Sequence, residues 1–139
     1  MLGLAAPAGT GLALGGYGFG VEPLWRLLVT GYRLKLPGWP HGLTLRLVIV
    51  ADVHAGEPYM SGERIAAIAG AANGLEADAI VLLGDYVAGH RWCTRKLSSR
   101  EWAEALSGLK APLGVHAILG NHDWWDDRGA QRSGRGPII

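Results

Sequence analysis

Three short groups of polar residues stand at the ends of apolar runs in this sequence. The groups are Asp52-Val53-His54, Gly84-Asp85 and Gly120-Asn121-His122-Asp123. Burying such side chains next to a strand costs roughly several kcal/mol unless a hydrogen-bond partner or an ion binds them. Their types and spacing therefore indicate a binding site rather than ordinary packing.

The chemistry that these side chains could perform is metal ligation. Residues two apart in an extended chain point to the same side, so Asp52 and His54 can hold one ion together. Asp85 has two carboxylate oxygens that could bridge two ions, and Asn121 adds a neutral oxygen. This mixture suits Mn, Fe or Zn. A single Asp at a strand end is more often a helix N-cap, so the hypothesis depends on all three groups meeting.

The elements that must position these residues alternate between strands and helices. Apolar runs predict strands within Leu43–His54, Asp78–Tyr86 and Leu113–Asp123, and helical spacing predicts helices over Ser61–Asn73 and after the capping box Ser98–Glu101. The first run is almost continuously apolar, which is typical of a central strand covered on both faces.

This order predicts an α/β fold with a parallel β-α-β-α-β core, because crossovers between parallel strands are right-handed and need a helix of this length. Ligands of such sheets bind at the carboxyl ends of the strands. All three polar groups lie at those ends, so we expect them to meet in space.

The ordered blocks D-x-H, G-D and G-N-H-D resemble the calcineurin-like metallophosphoesterase superfamily, and the sequences LLGDY and GVHAILGNHDWW are most similar to its bacterial membrane-associated branch. The resemblance covers Leu43 to Asp127 and implies a partial metallophosphoesterase sandwich. It implies two divalent ions, the first bound by Asp52 and His54, the second by Asn121, with Asp85 bridging both. It also implies hydrolysis of a phosphomonoester or phosphodiester, with His122 as general acid.

The sequence departs from this family pattern in two places. Many members have an acidic residue that pairs with the catalytic His three positions after the bridging Asp, where this chain has Ala88. Asp123 or a backbone carbonyl is then the expected partner of His122. Members also continue into a second α/β half with a G-H-x-H block, so we expect an amino-terminal half or a truncated product whose missing ligands another chain could supply.

The remaining histidines do not replace the ligands of that second half. His41 precedes the first predicted strand, His90 falls in a loop, and His116 alternates within a strand and is expected to pack in the core. The first ion would then have three protein ligands and the second only two.

Composition limits the other possibilities. The 139 residues fit one domain, and 49% hydrophobic with 18% charged residues argues against disorder. A net charge of +1 gives no reason to expect a nucleic-acid partner. Cys93 is the only cysteine, which excludes an intrachain disulfide and a cysteine zinc site.

The predicted organisation has four parts. Residues 1–22 form an apolar leader or membrane-associated segment, although its glycines and Pro7 disfavour a helix. Residues 23–42 form a connecting segment with an edge strand, 43–127 the metallophosphoesterase half, and 128–139 a flexible tail. The expected location is membrane-associated or cytoplasmic in a bacterium.

Three functions compete at this level. The first is a phosphoesterase that acts on a phosphate ester, for which a lipid headgroup is one candidate. The second is an inactive remnant that keeps the fold and weak metal affinity. The third is a membrane-attached adaptor without enzymatic activity, suggested by the apolar leader and the six tryptophans.

Overall fold

The arrangement of the chain was obtained as a computed structural model that describes residues 14–18 and 26–134. The chain divides into two units, Met1–Arg33 and Leu34–Ile139, and all elements named here lie in the second. They follow in the order β1 (Leu47–Val50), β2 (Gly56–Glu57), α1 (Gly62–Gly74), β3 (Ala79–Leu82), β4 (Arg95–Lys96), α2 (Ser99–Leu106), β5 (Val115–Ala117), α3 (Asn121–Asp126) and α4 (Arg128–Ser133).

The predicted parallel β-α-β-α-β core is confirmed. Strands β1, β3 and β5 form a three-stranded sheet in the order β1-β3-β5, with Val48 opposite Ile80 and Ile80 opposite Val115. Helix α1 connects β1 to β3, and α2 lies between β3 and β5. The carboxyl ends of all three strands therefore lie along one edge of the sheet, where the polar groups follow them.

The prediction that the first strand is central was wrong. Within the described residues β1 pairs with β3 alone, and β3 takes the middle position. Burial along β1 alternates, since Val48 is buried whereas Leu47 and Ile49 are 46% and 57% exposed. One face of the sheet thus carries the helices, and the other face presents apolar side chains to solvent.

Both helices begin where a serine caps them and pack on the same face of the sheet. The Ser61 hydroxyl accepts the backbone N–H of Arg64, and Ser98 and Glu101 form a reciprocal capping box. The buried side chains of α1 and α2 join those of β1 and β3 in one apolar core: Val48, Ile65, Ala69, Ala72, Ile80, Leu82, Trp102 and Leu106. The Trp102 ring stacks on Tyr86 at 4.7 Å, which ties α2 to the segment after β3.

A second, two-stranded sheet was not predicted. Strands β2 and β4 pair antiparallel, with Gly56 opposite Lys96 and Glu57 opposite Arg95. Gly56 is needed there, because a Cβ at this position would overlap the Cys93 sulfur. This small sheet fixes the long connection between β3 and α2 beside the strand ends.

The terminal segments differ from the sequence prediction where they are described. Residues 26–46 contain turns but no strand, so the predicted edge strand is absent from the described residues, and the side chains of this segment are exposed. The predicted tail contains α4. Most of the predicted apolar leader, 1–22, lies outside the described residues, and among those that are described no helix combines the length and apolar character needed to cross a bilayer.

Candidate metal centre

Three of the predicted ligand residues have an unusual backbone conformation. Asp52, His54 and Asp85 have positive φ angles of 55°, 44° and 56°. Such left-handed conformations are uncommon outside glycine, although Asp and His adopt them more readily than most residues. They turn the chain sharply after β1 and β3, so that the side chains lie at the end of the sheet.

Hydrogen bonds between the two turns hold these conformations. The backbone N–H groups of Asp52 and His54 donate to the carbonyls of Gly84 and Asp85 at 3.2 and 2.8 Å. The next N–H group, that of Ala55, donates to Tyr86 at 2.7 Å. The strand ladder is thereby continued through the residues that carry the polar side chains.

The polar side chains meet, as the sequence predicts. One ligand atom each from His54, Asp85 and His122 lies within 4.8 Å of the others. The Asp52 carboxylate joins the group, since its Oδ1 lies 3.9 Å from Nε2 of His54. Imidazole nitrogens and carboxylate oxygens at this spacing are a donor set that fits Mn, Fe or Zn.

The His54 ring is oriented for ligation. Its Nδ1 lies 3.2 Å from the carbonyl of Val87, so a neutral ring donates its Nδ1 proton there. The lone pair of Nε2 is then free on the side of Asp52. A backbone carbonyl that fixes the tautomer of a ligand histidine in this way is a common feature of metal sites.

The loop that carries the third polar group packs closely against Asp85. Its Oδ1 accepts the backbone N–H of His122 at 2.8 Å. A side chain at Gly120 would overlap this oxygen, and a side chain at Gly84 would overlap the backbone of Gly120. Both glycines of the sequence blocks are therefore required for the close approach of the two loops.

Packing, and not a carboxylate, orients the His122 ring. The ring lies edge-on to His54 at 4.7 Å and against Trp125 at 5.0 Å. A Cβ at Gly89 would come within 2.5 Å of its Nδ1, so the missing side chain at Gly89 makes room for the ring. Within the described part of the chain, the ring has no hydrogen-bond partner.

The expectation that Asp123 pairs with the His122 ring was wrong. Asp123 is fully buried, and its carboxylate accepts backbone N–H groups of its own loop and of the loop after β3. The negative charge has an effect nearby: burial, and then the Coulombic influence of Asp123, raises the pKa of Tyr86.

The other residues considered in the sequence are not part of the group of His54, Asp85 and His122. Asn121 is exposed at the first position of α3, next to His122 in the chain. His116 is exposed and not in the core, with its Nε2 bonded to the carbonyl of Leu113 at 3.0 Å, because β5 is covered on one face only. Sequence reasoning gave His90 no role, yet its ring lies 6.5 Å from that of His54.

The family model of the calcineurin-like phosphoesterases matches residues 45–137, which include all three polar groups. The chain belongs to this family. The match begins just before β1 and runs past α4, so it takes in the whole sheet, both covering helices and the strand-end cluster.

Relatives of this chain occur in animals and a bacterium. It is similar to a transmembrane protein with metallophosphoesterase domain from Danio rerio, with 33% identity over 66% of this chain and 19% of that protein. It is 29% identical to a metallophosphoesterase of Aquifex aeolicus over 71% of this chain and 36% of the relative. A metallophosphoesterase of Caenorhabditis elegans is 37% identical over 56% of the chain and 15% of the relative.

The chain thus spans about a third or less of the length of these curated relatives. No solved structure matches it significantly. The family membership agrees with the donor set of the cluster. The departure at Ala88 stands, since this residue is fully buried and offers the His122 ring no acidic group.

Proposed function

We propose that this chain carries the catalytic centre of a metal-dependent phosphoesterase that hydrolyses a phosphomonoester or a phosphodiester. The observation that carries the proposal is the meeting of His54, Asp85 and His122 within 4.8 Å at the carboxyl ends of three strands. Family membership supports the same reaction class.

Asp52, His54, Asp85 and Asn121 are the proposed ligands of two divalent ions, with Mn, Fe and Zn as the candidates. Divalent ions in such a site, when bound, supply an activated water and neutralise the charge of a phosphate. The protein contributes the orientation of the ligands through the left-handed turns at Asp52 and Asp85. The exposure of the Asp52 side chain leaves the site open to a substrate from solvent.

His122 is the proposed general acid that protonates the leaving oxygen. Its ring lies beside the cluster, and the contacts with His54 and Trp125 fix the plane of the ring. A proton donor must lie within hydrogen-bond reach of the leaving group, and no other imidazole of the described chain lies as close to both His54 and Asp85.

The test compares two aspartate variants of the full chain. We expect the wild type to bind two equivalents of Mn²⁺ in calorimetry and to hydrolyse a chromogenic phosphodiester. Asp85→Asn removes the proposed bridging carboxylate, and we expect it to weaken Mn²⁺ binding by more than the roughly 100-fold that supporting residues cost. Asp126→Asn is the control, because Asp126 is exposed, pairs with Lys96 and is not a member of the cluster.

The possible outcomes separate the competing hypotheses. Undiminished binding and turnover by Asp85→Asn contradicts the proposed site. Binding of Mn²⁺ by the wild type without turnover supports the inactive remnant. Turnover with two bound equivalents supports the phosphoesterase.

We also propose that the working catalytic unit contains a second α/β half, supplied by more chain or by another chain. The support is the uncovered apolar face of the sheet, where Leu47 and Ile49 of β1 are exposed and so is Ile118, which follows β5. Contiguous apolar surface of this kind marks an interaction site in a soluble protein. Full activity of the isolated chain would contradict this part of the proposal.

Attachment to a bacterial membrane, and a lipid headgroup as substrate, remain proposals. They are supported by the name of the Danio rerio relative, a transmembrane protein, and by exposed apolar residues that are interspersed with cations in the sequence. These include Leu28, Tyr32 and Leu34, with Arg33 and Lys35 next to them in the chain. Cosedimentation with anionic liposomes tests the attachment. Binding that survives deletion of residues 1–36 would contradict the role of this segment and leave the cytoplasmic alternative.

A further inference from the structure

The most deeply buried charge of the described structure belongs to Asp123, the last residue of the third polar group. Its side chain is 0% exposed, and no cation is paired with it among the described residues. Burying a carboxylate without a hydrogen-bond partner would cost roughly several kcal/mol. Something else must compensate its charge.

Four backbone N–H groups provide this compensation, two for each oxygen. Oδ1 accepts Tyr86 at 2.8 Å and Val87 at 3.1 Å. Oδ2 accepts Asp85 and Gly120, both at 2.8 Å. Hydrogen bonds to an ionised acceptor are about twice as strong as neutral ones, so the carboxylate clamps these groups firmly.

The clamped residues are the ones that carry and orient the ligands. Three of the four N–H groups belong to consecutive residues of one segment, 85–87. The first of them, Asp85, is both the proposed bridging ligand and a residue in the left-handed conformation. The fourth, Gly120, directly precedes two other proposed site residues, Asn121 and His122.

The same segment holds the first polar group through its carbonyls. Asp85 accepts the backbone N–H of His54 at 2.8 Å, and Tyr86 accepts that of Ala55 at 2.7 Å. The carbonyl of Val87 accepts Nδ1 of the His54 ring at 3.2 Å. Each of residues 85–87 therefore donates its backbone N–H to Asp123 and accepts a hydrogen bond from the loop after β1 with its carbonyl.

We propose that Asp123 is a positioning residue that sets the metal-binding geometry of all three polar groups before any ion binds. This inference rests on the proposed function, since it assumes that His54 and Asp85 are ligands. Asp123 itself touches neither ion nor substrate. A purely structural role would affect folding alone, whereas a positioning role also predicts weaker metal affinity in protein that is folded.

The variant Asp123→Asn tests this difference. It keeps the shape of the side chain, but one acceptor oxygen becomes an NH₂ group that faces two N–H donors. We expect folded Asp123→Asn, judged by far-UV circular dichroism, to bind Mn²⁺ roughly 10- to 100-fold more weakly than wild type, the range for residues that orient ligands. The matched control Asp126→Asn, three residues later in α3, is expected to bind as wild type.

Restoration of the carboxylate is the second arm. Asp123→Glu keeps both oxygens, and we expect it to bind Mn²⁺ more tightly than Asp123→Asn. Folded Asp123→Asn with wild-type affinity overturns the proposal. Wild-type protein that binds no Mn²⁺ instead overturns the proposed function, so the two failures are distinguishable.

A measurement on the wild type keeps the proposal testable if Asp123→Asn does not fold. Amide hydrogen exchange of residues 85–87 reports whether their N–H groups are bonded. We expect slow exchange in metal-free protein and little change on adding Mn²⁺. Rapid exchange that slows only after Mn²⁺ is added would show that the ion orders the segment, and would overturn the proposal.

Discussion

The loop cluster at the strand ends and helix α2 differ in how far apart along the chain their stabilising partners lie. The capping box of α2 joins Ser98 and Glu101, which are three residues apart. The bonds from Asp123 to the loop after β3 join residues 36 to 38 positions apart. One region is specified by its own sequence, and the other only by the assembled fold.

The difference shows where this fold concentrates strain. Helix α2 has ordinary helical geometry and exposed polar partners. The strand-end loops combine left-handed residues, a buried charge and two glycines without room for a side chain. Strained positions of this kind persist only where the surroundings over-determine them, which is common at functional sites.

Among the predicted changes in stability, the largest is expected for a substitution at Gly84 in the strand-end loops. Gly84 has φ of 87°, and a Cβ there would overlap the backbone of Gly120 and approach the Leu119 carbonyl carbon to 2.6 Å. We expect Gly84→Ala to lower the free energy of unfolding by at least about 2 kcal/mol, since left-handed backbone alone costs roughly 1 to 2 kcal/mol in L-residues. Urea denaturation measures this loss.

Gly108, after α2, offers the matched control. No atom lies within 4 Å of a Cβ at Gly108. Gly108→Ala should therefore change the free energy of unfolding by no more than about 0.5 kcal/mol, as at other unconstrained surface sites. Equal losses for both variants would mean that the strand-end loops are no more constrained than the end of a surface helix.

A smaller change in stability is expected at helix α2, and it depends on pH. The backbone N–H of Ser98, then its hydroxyl, then Arg95 lower the pKa of Glu101 from 4.5 to about 2. A carboxyl group with a lowered folded pKa stabilises the protein above its unfolded pKa and loses that contribution as pH falls through the folded value. The stabilisation by Glu101 should therefore be complete at neutral pH and decline between pH 4.5 and about 2.

The variant Glu101→Gln checks this window. Its melting temperature should be lower than that of wild type near neutral pH, and the difference should shrink as the pH approaches about 2. Because the Glu101 carboxylate is exposed to solvent, screening keeps the difference small. A gap that is constant with pH would show that the carboxylate charge does not contribute to the cap.

Much of the fold follows from local signals. Both serines that were expected to start helices do so, because a hydroxyl that accepts an N–H group three residues later is a contact within one turn. The three strands follow from apolar runs. The meeting of their polar ends follows from the parallel order, which needs no knowledge of side-chain contacts.

The failures concern neighbours that no single run reveals. The apolar run before Asp52 resembles a central strand, yet β1 is covered on one face, and its other face stays apolar without a described layer above it. His116 was expected in the core for the same reason. The pairing of β2 with β4 joins two-residue strands, which are too short to carry a periodic signal.

The site was predicted in outline and not in its supports. Residue types and spacing predicted that Asp52, His54, Asp85 and Asn121 share one centre. The structure groups His54 and Asp85 with His122 instead, and Asn121 is exposed at the start of α3. The role of Asp123 could be inferred only from its burial and its hydrogen-bond partners. The one available signal in the sequence was an acidic residue in a block whose other polar residues already had a proposed role. The position of His90 depends on the path of a loop that no pattern specifies.

The left-handed turns restrict which amino acids could serve at the strand ends. If they are the proposed metal ligands, positions 52, 54 and 85 need a side chain that binds a cation and a backbone that tolerates φ near 50°. Glutamate satisfies the first demand, and glycine satisfies the second. Aspartate, asparagine and histidine meet both, so an attempt to transplant this ligand set onto straight β-strands would have to rebuild the bends before the chemistry.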